Sequence, residues 1–98
     1  MNQSTIIEHL KEVKPLYEKE GLIILGLFGS FAKNSANQYS DIDIAYRLDY
    51  ELFSKKYVDG FSKLLRIDDI KKEFKNQLHR PIDLVPFKDK VMKELIYV

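Results

Sequence analysis

Ile6, Leu10 and Val13 recur at helical spacing, with Ile7 alongside, and predict a helix over residues 4–14. Thr5 and Glu8 form a candidate capping box at its start. Pro15 should end or kink this helix, or open a further short turn running to Glu20, and Gly21 reads as a stop signal. Leu22 to Phe28 is a short, nearly continuous apolar run between glycines, which favours a buried strand over a helix. Phe31, Ala32 and Lys33 form a brief helical turn, and residues 34–40 a polar loop. From Asp41 to Leu48 the chain alternates. Asp41, Asp43 and Ala45 share one face, and Ile42, Ile44 and Tyr46 the other.

Asp49 is an N-cap candidate for helical material extending towards Leu78. Val58, Phe61 and Leu65 fit one inward stripe; Ile67, Ile70, Phe74 and Leu78 fit another. The change of stripe places a break near residues 66–68. Ile82 to Pro86 reads as a third strand, and Lys88 to Tyr97 as a last helix with Val91, Met92, Leu95 and Ile96 inward. The predicted order is α-β-α-β-α-β-α, with the turn after the first strand as its shortest helix. That is an α+β (α/β-like) fold, a small three-stranded mixed β-sheet covered by helices. At 98 residues, one domain over 1–98 is expected.

Charge and composition narrow the function classes. Sixteen Lys+Arg against fifteen Asp+Glu leave a net charge of +1, so no direct nucleic-acid binding is expected. Lys71, Lys72 and Lys75 read as a solvated helical stripe. The absence of cysteine excludes disulfides, zinc–thiolate sites and cysteine nucleophiles. Met1-Asn2-Gln3-Ser4 lacks the pattern of a signal peptide, and the run from Leu22 falls far short of the ~20 residues of a membrane span. A cytoplasmic protein without membrane attachment is expected.

The candidate chemistry lies in three short stretches. Asp41 and Asp43 share a strand face, about 6.5–7 Å apart at the backbone. Two carboxylates that close repel unless they share a cation, and a hard divalent ion prefers oxygen ligands. Taken alone, the pair also fits a solvent-facing strand edge. Gly29-Ser30 stands where a strand passes into a short helix. There glycine allows close backbone approach to a phosphate and serine adds a donor; alone it also fits an ordinary turn. Neither a P-loop nor a dinucleotide-binding glycine pattern is present. Asp83 lies among apolar residues in Ile82-Asp83-Leu84-Val85, where a charge needs a partner, although an exposed strand position accommodates it too. A helical crossover lets the second and third strands run parallel, which would gather Asp41, Asp43 and Asp83 at one sheet end. The first strand must then run antiparallel to the second for Ser30 to join them. His9 and His79 read as satisfied or exposed rather than catalytic, and the six tyrosines as amphipathic core or surface.

Together, Gly29-Ser30 with Lys33-Asn34, Ser40-Asp41-Ile42-Asp43-Ile44 and Ile82-Asp83-Leu84-Val85 resemble the nucleotidyltransferase superfamily of DNA polymerase β type, most of all its minimal nucleotidyltransferases. The resemblance implies a nucleotidyltransferase fold. It implies Asp41, Asp43 and Asp83 as catalytic residues holding two Mg2+ ions, and Gly29, Ser30, Lys33 and Ser40 as the nucleotide-binding set for ATP. It further implies AMP transfer to a hydroxyl, as in antitoxins that modify a tyrosine of a helical HEPN ribonuclease toxin and form a hetero-oligomer with it. A non-catalytic antitoxin acting by contact, and a small-molecule adenylyltransferase of the aminoglycoside-modifying kind, are the alternatives. Lys33-Asn34 stands where the family usually has Arg-Gly. Lysine keeps the charge but lacks the bidentate fork, and asparagine tolerates a left-handed backbone better than most residues.

Overall fold

A computed structural model of the protein describes residues 1–88 and 94–98. The elements follow in the order α1 (Gln3–Glu18), β1 (Leu22–Phe28), α2 (Gly29–Ala32), β2 (Ile42–Leu48), α3 (Tyr50–Lys56), α4 (Gly60–Leu78), β3 (Ile82–Pro86) and β4 (Ile96–Tyr97). The strands form one open sheet in the order β3-β2-β1-β4. β1 runs antiparallel to β2 and β4, and β2 runs parallel to β3. The mixed α+β architecture and the strand directions agree with the sequence reading. The sheet has a fourth strand that the reading did not include.

The core is built where the periodicities meet. Ile6, Leu10, Val13 and Tyr17 of α1 and Ile70, Phe74 and Leu78 of α4 cover the sheet face bearing Leu22, Ile24, Leu27, Ile42, Ile44, Tyr46 and Ile82. β1 shifts register between Ile24 and Gly26, a bulge at Leu25. The extra residue reverses the alternation, so both Ile24 and Leu27 are fully buried although three apart. Ile67 packs against the core edge as expected.

Five expectations need correction. α1 does not stop at residue 14 but continues through Pro15, where the reading had allowed a further short turn, to Glu18; Tyr17, buried against α4, donates to Glu73 at 2.8 Å and holds the last turn in place. Its N-cap is Asn2, whose side chain accepts from the Thr5 N–H at 3.0 Å. The break in the long helical segment lies at residues 57–59 rather than 66–68, because Asp59 caps α4 by accepting from the Ser62 N–H at 2.6 Å. The stripe of Val58, Phe61 and Leu65 faces solvent instead of the core, with Phe61 72% exposed.

The fifth correction concerns the C-terminal segment. Ile96 and Tyr97 are strand, pairing with Leu27 and Gly26. Gly26 makes this pairing possible: a Cβ there would sit 2.0 Å from the Ile96 carbonyl oxygen. The predicted helical positions Val91 and Met92 lie outside the described residues. No helix among the described residues is long and apolar enough to cross a membrane.

Candidate active site

β2 positions the centre of the site because both its neighbours meet it at Asp43. Asp43 is the register partner of Asp83 on parallel β3 and of Phe28 on antiparallel β1. Register partners project to the same sheet face, so the two carboxylates flank each other on the side away from the core. Asp41 precedes the first β2 residue and is exposed, Asp43 is half-buried, and Asp83 is exposed. Burial raises the Asp43 carboxyl above its ordinary value, and the negative charges of Asp83 and then Asp41 push it the same way. The three acids therefore share one electrostatic environment at one sheet end.

Gly29 closes the site from the β1 side. Its backbone is left-handed, φ 73°, and a Cβ would lie 2.0 Å from Asp43 Oδ2. Only the missing side chain lets the chain turn from β1 into α2 directly against this carboxylate. Ser30 follows, its carbonyl accepting from the Ser35 N–H at 2.9 Å, which folds the polar loop back over α2. Asn34 has φ 57°, the conformation a glycine would supply at that position.

Two predicted site residues are otherwise engaged. Ser40 Oγ accepts from the Asn37 N–H at 2.8 Å and closes the turn before Asp41. Lys33, at the C-cap of α2, pairs with Glu94 at 3.4 Å. That partner was hidden from the sequence reading by the helix expected in its place. Arg80, to which the reading gave no role, reaches the same turn: Nη2 donates to the carbonyls of Asn37 and Ser40, each at 2.7 Å. Its position directly before Pro81-Ile82-Asp83 was the available signal.

Three aspartates with an acidic, oxygen-only donor character fit a hard divalent cation, and the mutual destabilisation felt at Asp43 is what such an ion relieves. Among the described residues, no group of three or more His, Cys, Asp or Glu is already drawn together as a ligand set.

The family model for Polymerase beta, Nucleotidyltransferase matches residues 8–97, from within α1 through β4, and so includes every predicted site residue. No curated protein and no solved structure matches the chain. An antiparallel β1–β2 pair joined through Gly29-Ser30, a parallel β3 that brings Asp83 beside Asp43, and a family match over nearly the whole chain lead to one conclusion: the protein belongs to the polymerase β nucleotidyltransferase family.

Proposed function

We propose that residues 1–98 act as one nucleotidyltransferase domain that moves AMP from ATP onto a hydroxyl of a partner protein, in the manner of a minimal nucleotidyltransferase antitoxin. The acceptor would be a tyrosine of a helical HEPN-type toxin with which the chain forms a hetero-oligomer. The observation that carries this reading is the convergence of Asp43, Asp83 and the Gly29 backbone at one sheet end.

In this reading Asp41, Asp43 and Asp83 hold Mg2+. When bound, the ion neutralises phosphate charge and makes the acceptor oxygen easier to deprotonate. Gly29 lets the main chain approach the triphosphate, and Ser30 donates from its hydroxyl. Lys33 exchanges Glu94 for phosphate oxygens, and Ser40 holds the turn at the nucleotide's edge. Asp83 takes the acceptor proton on a carboxylate oxygen. The acceptor oxygen then bonds to the α-phosphorus in line as the bond to the β-phosphate oxygen breaks, releasing pyrophosphate. Val58, Phe61 and Leu64, 79%, 72% and 68% exposed, offer an apolar face of the kind that protein partners cover.

Asp43→Asn tests the catalytic reading. It removes one charge from the acidic group at nearly constant volume, so the metal-free protein should be at least as stable as wild type. Mg2+-dependent labelling of a partner from α-labelled ATP should fall by orders of magnitude, because an amide is a poor ligand for a hard cation. A destabilised variant that keeps its activity would overturn the assignment. The Lys33–Glu94 pair favours a second reading, an antitoxin that acts by contact alone. Toxin neutralisation that survives Asp43→Ala would select it.

A further inference from the structure

We propose that Arg80 is a positioning residue for the transfer site, a brace that fixes the turn delivering Asp41 and ties it to the segment that follows Gly29-Ser30. The inference rests on the nucleotidyltransferase reading above.

α4 ends with His79 in a left-handed conformation, φ 57°, which reverses the chain and turns Arg80 back towards the sheet end. The next residue is already in the sheet ladder, its Pro81 carbonyl accepting from the Ile42 N–H at 2.9 Å. From this fixed base the guanidinium makes three donations. Nε reaches the Ser40 carbonyl at 3.2 Å, and Nη2 reaches the Ser40 and Asn37 carbonyls at 2.7 Å each. Its Cζ also lies 5.0 Å from the centre of the Phe31 ring, on the short helix that Gly29-Ser30 begins.

These contacts tie the segment before β3 to two segments on the β1–β2 connection, and each of the three carries one part of the site. The Ser40 carbonyl belongs to the peptide plane whose nitrogen is that of Asp41, so holding it fixes where Asp41 leaves the turn. Arg80 itself stands three residues before Asp83, and its ring contact restrains α2. The partners are carbonyls and an aromatic face rather than a carboxylate, so the interaction is not a charge pair. It needs a planar fork that donates along its edge while its face lies on a ring. Lysine offers one compact ammonium and no such plane. The ring that Arg80 lies over, Phe31, belongs to the buried apolar cluster, but all three of its hydrogen bonds go to the polar turn at Asn37 and Ser40, and what that turn delivers is Asp41.

The test uses Mn2+ as a paramagnetic probe in amide-resolved NMR spectra of the whole chain, with Arg80→Lys and Arg80→Gln compared with wild type. Wild type should show Mn2+ broadening centred on Asp41, Asp43 and Asp83. In both variants the half-saturating Mn2+ concentration should rise about tenfold, the usual consequence of losing a group that orients a metal ligand. Amide positions in α1 and in residues 22–25 of β1 should be unchanged. Mg2+-dependent transfer should fall through kcat more than through the KM for ATP. A merely structural role would lower the melting temperature and leave the Mn2+ midpoint of the folded protein where it was, which would overturn the inference. A wild type that shows no broadening at Asp41 and Asp43 would instead refute the metal-site reading, and the proposal with it. If Arg80→Gln fails to fold, Arg80→Lys decides: a wild-type Mn2+ midpoint in that variant overturns the proposal.

Discussion

Replacing Gly29 by alanine puts a methyl group where the Asp43 carboxylate now lies. Two penalties follow, and they separate. The backbone at φ 73° carries the first, about 1–2 kcal/mol for any residue with a Cβ. The second is steric. The new Cβ would stand 2.0 Å from Asp43 Oδ2, 2.9 Å from Cγ and 3.2 Å from Cβ, so rotating the outer oxygen alone does not relieve it. The whole carboxyl group must retreat by roughly an ångström to reach an ordinary contact. A displacement of that size at a reacting centre lowers rate by about a hundredfold. Gly29→Ala should therefore unfold at slightly lower urea concentration, with transfer from α-labelled ATP reduced about a hundredfold or more. The same substitution in an Asp43→Ala background removes the 2.0 and 2.9 Å clashes and leaves only the 3.2 Å approach to Cβ, so it should show little beyond the backbone penalty, and unfolding of the four proteins without metal isolates the carboxylate contact as a coupling energy. An active Gly29→Ala protein, or equal penalties in both backgrounds, would refute the placement of Asp43 against Gly29.

The remaining predictions concern groups that hold the site's frame. Arg66 donates to Glu20 at 2.8 and 2.7 Å and to Glu73 at 2.7 Å, and Tyr57 donates to Glu20 as well. With Glu20 only 14% exposed, Arg66→Met should cost about 2–3 kcal/mol, between the values for exposed and fully buried pairs; a loss in chemical denaturation below about 0.5 kcal/mol would show that water already screens the network. Arg66 also lowers the Glu20 carboxyl below 4.5, so this stability is present above that pH and lost as pH falls through the lowered value; acid titration of Arg66→Met should lack that component. Tyr17, raised to about 12 by burial and then by its bond to Glu73, sets the opposite edge, with stability lost as pH rises from about 10 towards 12. Asn34→Gly should be close to neutral by thermal melting, whereas Asn34→Val should cost about 1–2 kcal/mol at φ 57°.

Much of the site was legible because it rests on local periodicity. Alternation over residues 41–48 placed Asp41 and Asp43 on one face without reference to the rest of the chain. The left-handed backbone at Asn34 is the one that the family's usual glycine would supply, and it was the resemblance, not local periodicity, that drew notice to it. What escaped the sequence depends on distant partners. Arg66 marked a break between stripes in the reading, yet it lies within α4 and turns inward to Glu20, on the far side of the sheet strands in sequence. Of the expected stripe Val58, Phe61 and Leu65, only Phe61 and Leu65 lie on α4, Val58 falls in the break before it, and all three face solvent, since spacing does not say which face has a neighbour. β4 is two residues long and exists only through its pairing with β1. Gly26, an unexplained glycine inside an apolar strand, was its one trace, because close backbone approach is what such a glycine permits.

The crossover between β2 and β3 decides whether the acids meet. In the parallel pair, Ile42 faces Ile82 and Asp43 faces Asp83. Were β3 reversed over the same span, Asp83 would face Ala45, two residues along β2 and about 6.5 Å farther from Asp43. It would still lie on the same face, yet the acids would lie apart along the sheet instead of side by side at its end. Alternation alone cannot distinguish these arrangements. A tight hairpin would have imposed the second, whereas α3 and α4, which carry the chain back along the sheet, impose the first. Phe53, Ile70, Phe74 and Leu78, buried on that crossover, therefore serve the chemistry as directly as they serve stability. Their packing fixes the direction of β3 and with it the distance between two carboxylates that none of them touches.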